Sequence, residues 1–260
     1  QRQPRIKDMY RFHIDTWCIG HYYPNSGDSG WFADRRDTYV GVGFSRDIDV
    51  RPSMFAFLGR LAAATDDAAY LQALYGANGG STDGLPHDLF ASEGDTLARE
   101  VRAAVDARGA AVELRSVRKD EWRIAILRSG RGEHARAAWV TSRVGGNHKH
   151  FDGMHLGLYA RGMDLLPDFG YPPVNYGGWG SPRALWYRAS AAHNTVIVDG
   201  EEQRESAATT TLWADGRMLK VMRFDAPDMT AASRYERTIL QVDVSAEVFY
   251  LVDVFRVPGG

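Results

Sequence analysis

The chain has 260 residues and a formal charge of −2, with 44% hydrophobic and 25% charged residues. That balance fits a globular protein and gives no field for nucleic acid or an anionic membrane, so an acidic ligand would have to meet a local basic patch. A single cysteine, Cys18, excludes an intrachain disulfide and a zinc–thiolate cluster built by this chain alone, and no run of about eighteen apolar residues exists to span a bilayer.

In chain order, the first hundred residues read as helices joined by long loops. Gly20 to Gly30 (GHYYPNSGDSG) is a polar, glycine-rich loop of the kind that often carries function. Pro52 to Ala64 is apolar at helical spacing, with proline suited to a first turn. Asp66 or Asp67 can cap a second helix that runs through Tyr75 and stops at Asn78–Gly80. Leu97 to Ala107 reads as a short helix or a connector.

From about Ala111 the texture changes. VELRSV, WRIAILRS, ARAAWVTSRV, HLGLYARG, NTVIVDG, GRMLKVMRF, SRYERTILQVDV and EVFYLVDVFRV follow at short intervals, rich in β-branched and aromatic residues and separated by turn formers. This is the pattern of a large antiparallel sandwich. The expected organisation is α+β: a helical portion over residues 1–108 and a sandwich over 109–260. The chain starts on Gln1 and stops on VPGG directly after a strand-like run, so it reads as the middle of a longer polypeptide.

The chemistry concentrates between Asn147 and Gly200. His148, His150 and Asp152 stand at i, i+2 and i+4, which in extended chain puts them on one face. Asp168 ends one apolar run and His193 opens another. Two imidazoles and a carboxylate from neighbouring segments can close around a divalent cation, and zinc accepts that donor set. Each residue also has an ordinary structural reading: His150 as a hydrogen-bonded histidine, Asp168 as a turn former in Asp-Phe-Gly, His193 as a strand-start residue bonding a loop carbonyl. His148 can face the same cavity without binding the ion, and a neutral imidazole there could move a proton or bond an anionic group. Asp152 reads as a hydrogen-bond anchor. The aromatic stretch after Asp168 (Tyr171, Tyr176, Trp179, Trp186, Tyr187, with Arg183 and Arg188) has aromatic planes for pyranose faces and guanidinium groups for carboxylates; its members can equally cap the sandwich core. Asp168–Gly170 spells a kinase-like DFG without its partner motifs, and the DSG at Asp28–Gly30 lacks a nucleophile elbow and carries no weight.

The strings GNHKHFDGMHLGLYARGMDLLPDFGY, AHNTVIVDGEEQ and RTILQVDVSAEVFYLVDVFRVPGG resemble the heparinase II/III-like polysaccharide lyases, over about residues 140–260 and more loosely at YPNSGDSG. The resemblance implies the later part of an (α/α) toroid followed by a large antiparallel β-sandwich. It implies β-elimination on a uronic-acid-containing glycan, outside the cytoplasm (periplasmic or extracellular). It places the metal ligands, for zinc, on His150, Asp168 and His193. His148 matches a histidine of the catalytic centre, and Tyr176, Tyr187 and Arg188 are the candidates for substrate contact. The family's principal catalytic tyrosine and an Asn/His pair lie well upstream of the HxH motif. His21, Tyr22 and Tyr23 do not align to that role, so another segment or chain is expected to supply the tyrosine. The partner expected is an acidic poly- or oligosaccharide, with neither nucleic acid nor membrane, and a homo-oligomer stays open. Two rival readings remain: an inert glycan-binding module that keeps the metal for structure, and a cupin-like metal oxygenase.

Overall fold

Proline in the first turn of one helix, and a carboxylate before the next with glycines after it, punctuate the helical part as the sequence leads one to expect. In the structure, a computed structural model that describes residues 6–16, 24, 26–28, 52–85 and 95–258, helix α1 is Ile6–Asp15, α2 Pro52–Thr65, α3 Ala69–Ala77 and α4 Thr96–Arg108. Pro52 opens α2, where a missing N–H costs nothing. Asp67 Oδ1 accepts from the Ala69 amide at 3.0 Å and starts α3, while Gly79 and Gly80 take φ of 69° and 76° beyond its end. Asp67 also pairs with Arg11 of α1. Gln72 Nε2 donates to the carbonyls of Gly109 and Ala111, both at 2.9 Å, and closes the C-terminal end of α4 onto α3. Ile14, Ala62, Ala69, Tyr70 and Ala73 form one small core, Leu74, Leu85 and Val101 another. Cys18 and the His21–Tyr23 stretch lie outside the described residues.

The chain divides into two compact units, Gln1–Tyr23 with Arg35–Leu114, and Pro24–Asp34 with Arg115–Gly260. Among the described residues of the second unit every strand pair is antiparallel. Strands β1 (Val117–Lys119), β2 (Ile124–Ser129), β3 (Arg136–Thr141), β5 (His155–Ala160) and β6 (Met163–Asp164) make a sheet in the order β1-β2-β3-β5-β6. Strands β8 (Thr209–Asp215), β9 (Leu219–Asp225), β10 (Glu236–Asp243) and β11 (Phe249–Arg256) make another, ordered β11-β10-β9-β8, and β4 (Arg143–Val144) pairs with β7 (Ser206–Ala207). One core takes Leu127, Ala138 and Leu156 from the first sheet and Met222, Phe224 and Ile239 from the second, which makes the unit a sandwich. Trp139 of β3 lies flat enough over Gly157 of β5 that a Cβ there would sit 2.0 Å from its ring.

Three departures from the sequence reading matter. NTVIVDG is no strand: it holds one isolated bridge, Val198 to Glu201, because its backbone is spent on Leu156 N to Asn194 O (3.2 Å) and Tyr235 Oη to Val196 O (2.6 Å). TTTLWAD, polar in its first half, is strand β8. Within the aromatic stretch, Pro182–Arg188 forms helix α5, with Ser181 Oγ accepting from Ala184 N at 3.2 Å. A serine cap followed by proline is a readable helix start. No helix among the described residues is long and apolar enough to cross a membrane.

Candidate metal centre

Three segments of the second unit converge. The first is the β4–β5 connection, residues 145–154, which consists of turns and irregular chain rather than the extended strand that the HxHxD spacing suggested. The second follows β6 and carries Asp168. The third is a single 3₁₀ turn, Ser190–Ala192, that ends on His193. Arg237 of β10 ties the first and third together: its Nη1 donates to the carbonyls of both Met154 and Asn194, while Nη2 pairs with Asp253 at 2.6 Å. Gln203 does the same from another side, exchanging bonds of 2.8 Å with Gly153 N and Gly153 O while its own N donates to Ser190 Oγ at 3.5 Å. The loops are therefore fixed by buried polar groups, each with its bonding satisfied.

His150, Asp168 and His193 are all buried, and one donor atom from each lies within 4.8 Å of the others. Their hydrogen bonds decide which atoms face inward. His193 Nδ1 lies 2.9 Å from the Ala189 carbonyl, so it carries the proton and leaves Nε2 as a bare acceptor. His150 Nε2 lies 2.9 Å from Asp28 Oδ1, so the acceptor on that ring is Nδ1. Both bare nitrogens are buried without a hydrogen-bond partner among the described residues. Asp168 Oδ1 accepts from Gly170 N at 2.8 Å, and Oδ2 stands 3.5 Å from His193 Nε2. Three acceptors aimed at one another repel, and a cation resolves that arrangement. The group can bind a metal.

The electrostatics agree. Burial lowers the His150 pKa to about 4, against the pull of Asp28, with the charges of His193 and Arg188 adding to the lowering. Burial also lowers His193, and holds nearby His155 well below the ordinary imidazole value. These imidazoles are neutral at pH 7, the form that ligates a metal. Asp152 is pushed up to about 6 by burial and then by the negative charge of Asp168.

The other candidates sit around this centre. His148 is four-fifths exposed, and its Nδ1 lies 3.0 Å from Asp28 Oδ2. Asp152 accepts from Gly27 N at 2.8 Å and from Ser26 Oγ at 3.3 Å, so it anchors the segment that carries Asp28. Arg188 is half-buried at the end of α5, and its carbonyl accepts from Phe151 N at 2.9 Å. The half-buried ring of Tyr187 packs on Phe169, with centroids 5.3 Å apart. Tyr176 is 76% exposed in the turn after Asp168.

Asp28 is the residue that sequence reasoning missed. Its DSG context resembled nothing catalytic. The available signal was chemical: a metal-binding histidine places its second ring N–H on a carboxylate or carbonyl, and the glycine-rich loop offers that carboxylate.

Residues 111–238 match the family model for the heparinase II/III-like C-terminal region. The heparan sulfate lyase HepC from Pedobacter heparinus matches 97% of the chain at 19% identity and a TM-score of 0.62. Heparinase III matches 98% of it at 14% identity and 0.57. The chain spans about a third of the length of those two structures, 32% and 34%. At these identities the likeness is one of fold, a few helices followed by antiparallel sheets. No curated protein sequence matches the chain.

Proposed function

We propose, from the premise that residues 111–238 belong to the heparinase II/III-like C-terminal family, that this chain forms part of a polysaccharide lyase. Its substrate is a uronic-acid-containing acidic glycan, cut by β-elimination to leave an unsaturated uronate end. The observation that carries the reading is the buried His150–Asp168–His193 set lying one carboxylate away from an exposed histidine, His148. A structural centre beneath a reactive imidazole suits an enzyme better than an inert binding module, which has no use for the exposed ring.

Zinc is the ion proposed, held by His150, Asp168 and His193; it would lock the three segments together and add positive charge close to His148. The chain's own groups do the rest. His148 takes the proton from C5 of the uronate, the electron pair closes the C4–C5 double bond, and the C4–O bond breaks. The leaving oxygen gains a proton from an acid beyond the described residues, for which an upstream tyrosine is the family-based proposal. Arg188 faces the substrate carboxylate, and charge on that carboxylate grows as C5 loses its proton, so a cation there favours the transition state. Tyr176 and Tyr187 offer rings to the sugar faces. The organisation proposed is toroid for residues 1–108 and sandwich for 109–260, in a protein located in the periplasm or outside the cell.

The test uses the complete polypeptide. It is offered a panel of uronate polymers, and unsaturated product is followed by ultraviolet absorbance. Product from at least one polymer supports the reading; tight binding of the glycans with no absorbance rise replaces it with the binding module.

A further inference from the structure

One carboxylate serves two histidines of different roles. Asp28 Oδ1 is 2.9 Å from His150 Nε2, and Oδ2 is 3.0 Å from His148 Nδ1. The Asp28 side chain is 6% exposed, while that of His148 is 80% exposed. The backbone holds this carboxylate in place from two sides. Asp28 N donates to His148 O at 3.0 Å, and Gly27 N donates to Asp152 at 2.8 Å. Gly27 takes a φ of +58°, and a Cβ on it would meet the His148 carbonyl at 2.2 Å, so the two chains approach at a distance only glycine allows.

An ionised carboxylate only accepts, so each ring nitrogen facing it must carry the proton. Both neutral tautomers are thereby fixed, and they are opposite. His150 is protonated at Nε2 and bare at Nδ1, toward the metal centre. His148 is protonated at Nδ1 and bare at Nε2, toward solvent. We propose that Asp28 is the positioning residue of this site: it assigns His150 to metal ligation through Nδ1 and makes the exposed Nε2 of His148 a proton acceptor rather than a hydrogen-bond donor. The catalytic half of this inference rests on the lyase reading above; the tautomer half does not. The two halves are linked, because a substitution at Asp28 disturbs metal affinity and proton transfer together, whereas a substitution at His148 disturbs only the second.

The experiment uses the complete polypeptide with ¹⁵N-labelled histidine at pH 8, and reads the tautomers of His148 and His150 from long-range ¹H–¹⁵N correlations. His148→Ala and His150→Ala assign the signals. The expected result is Nδ1–H for His148 and Nε2–H for His150. In Asp28→Asn the amide can accept from one ring but must donate to the other, so one of the two tautomers inverts. Zinc affinity should drop about 10–100-fold, the usual scale for loss of a partner behind a ligating histidine. kcat should fall with KM changed less than about twofold, since proton transfer and not glycan binding is altered. Asp28→Glu keeps an acceptor-only group and should restore the wild-type tautomers at least in part. Nε2–H on His148 in the unsubstituted protein overturns the inference, whether or not any variant folds. So does an Asp28→Asn protein with wild-type zinc affinity and wild-type tautomers. Tautomers as stated with no product from any uronate polymer would instead remove the lyase reading and leave the positioning role standing.

Discussion

His193→Ala separates the cost of a lost side chain from the cost of a lost ligand. Among the described residues the imidazole makes one hydrogen bond, from Nδ1 to the Ala189 carbonyl at 2.9 Å. Losing it costs about 1 kcal/mol. The ring also supplies one of the three atoms within 4.8 Å that can hold the ion. With free zinc at about a hundred times its dissociation constant, binding to the folded state adds about 2.7 kcal/mol, and a two-ligand remnant forfeits most of that. The total is about 4 kcal/mol, or roughly 7–15 °C in melting temperature at about 2–4 °C per kcal/mol. The assay is thermal unfolding of both proteins with zinc and with a chelator, alongside metal analysis. With zinc the two should differ by that full amount; with chelator only by about 2–4 °C, the hydrogen-bond part. A variant that retains about one equivalent of zinc, or whose melting temperature responds to chelator as the wild type does, refutes the assignment of His193 as a ligand.

The remaining predictions use other handles. His148→Ala should keep zinc and fold while turnover in the complete protein drops about 10²-fold, whereas His150→Ala loses metal and stability together; equal zinc loss in both would erase the proposed division of labour. Without metal, stability should fall as pH drops from 7 to 5. His150, His155 and His193 have folded pKa values below the ordinary one, that of His150 at about 4. The unfolded chain therefore takes up protons from about pH 6.5 downward that the folded chain refuses. Asp152, raised to about 6, works in the opposite sense below that pH, but as one group against three. A melting temperature that is flat or rises toward pH 5 would contradict the buried neutral imidazoles. Gly157→Ala places a methyl 2.0 Å from the ring of Trp139, which is 1% exposed, and should cost about 1–3 kcal/mol in the sandwich melting transition; an unchanged transition would mean the β3–β5 packing is looser than described.

Much of this protein can be read along the chain because local rules govern it. Helical spacing with proline and glycine punctuation marked α2 and α3, and short β-branched runs between turns marked β2, β3, β5, β9, β10 and β11. The trio His150, Asp168 and His193 was legible because all three lie within some forty-five residues and are of ligand type. Other features were not. Strand β8 begins on three threonines and owes its strand state to its partner β9, so its own pattern carries little signal. NTVIVDG has strand composition but never forms a ladder, since its backbone bonds to elements far off in sequence. Asp28 was invisible for a similar reason. It stands 120 residues from His148 and 122 from His150, and nothing in DSG announces a carboxylate shared by two imidazoles. Sequence determined which residue types were available to bind an ion. Tertiary structure decided which nitrogen of each histidine is bare, because a tautomer is set by the hydrogen bond on the other side of the ring, and that bond comes from a distant part of the chain.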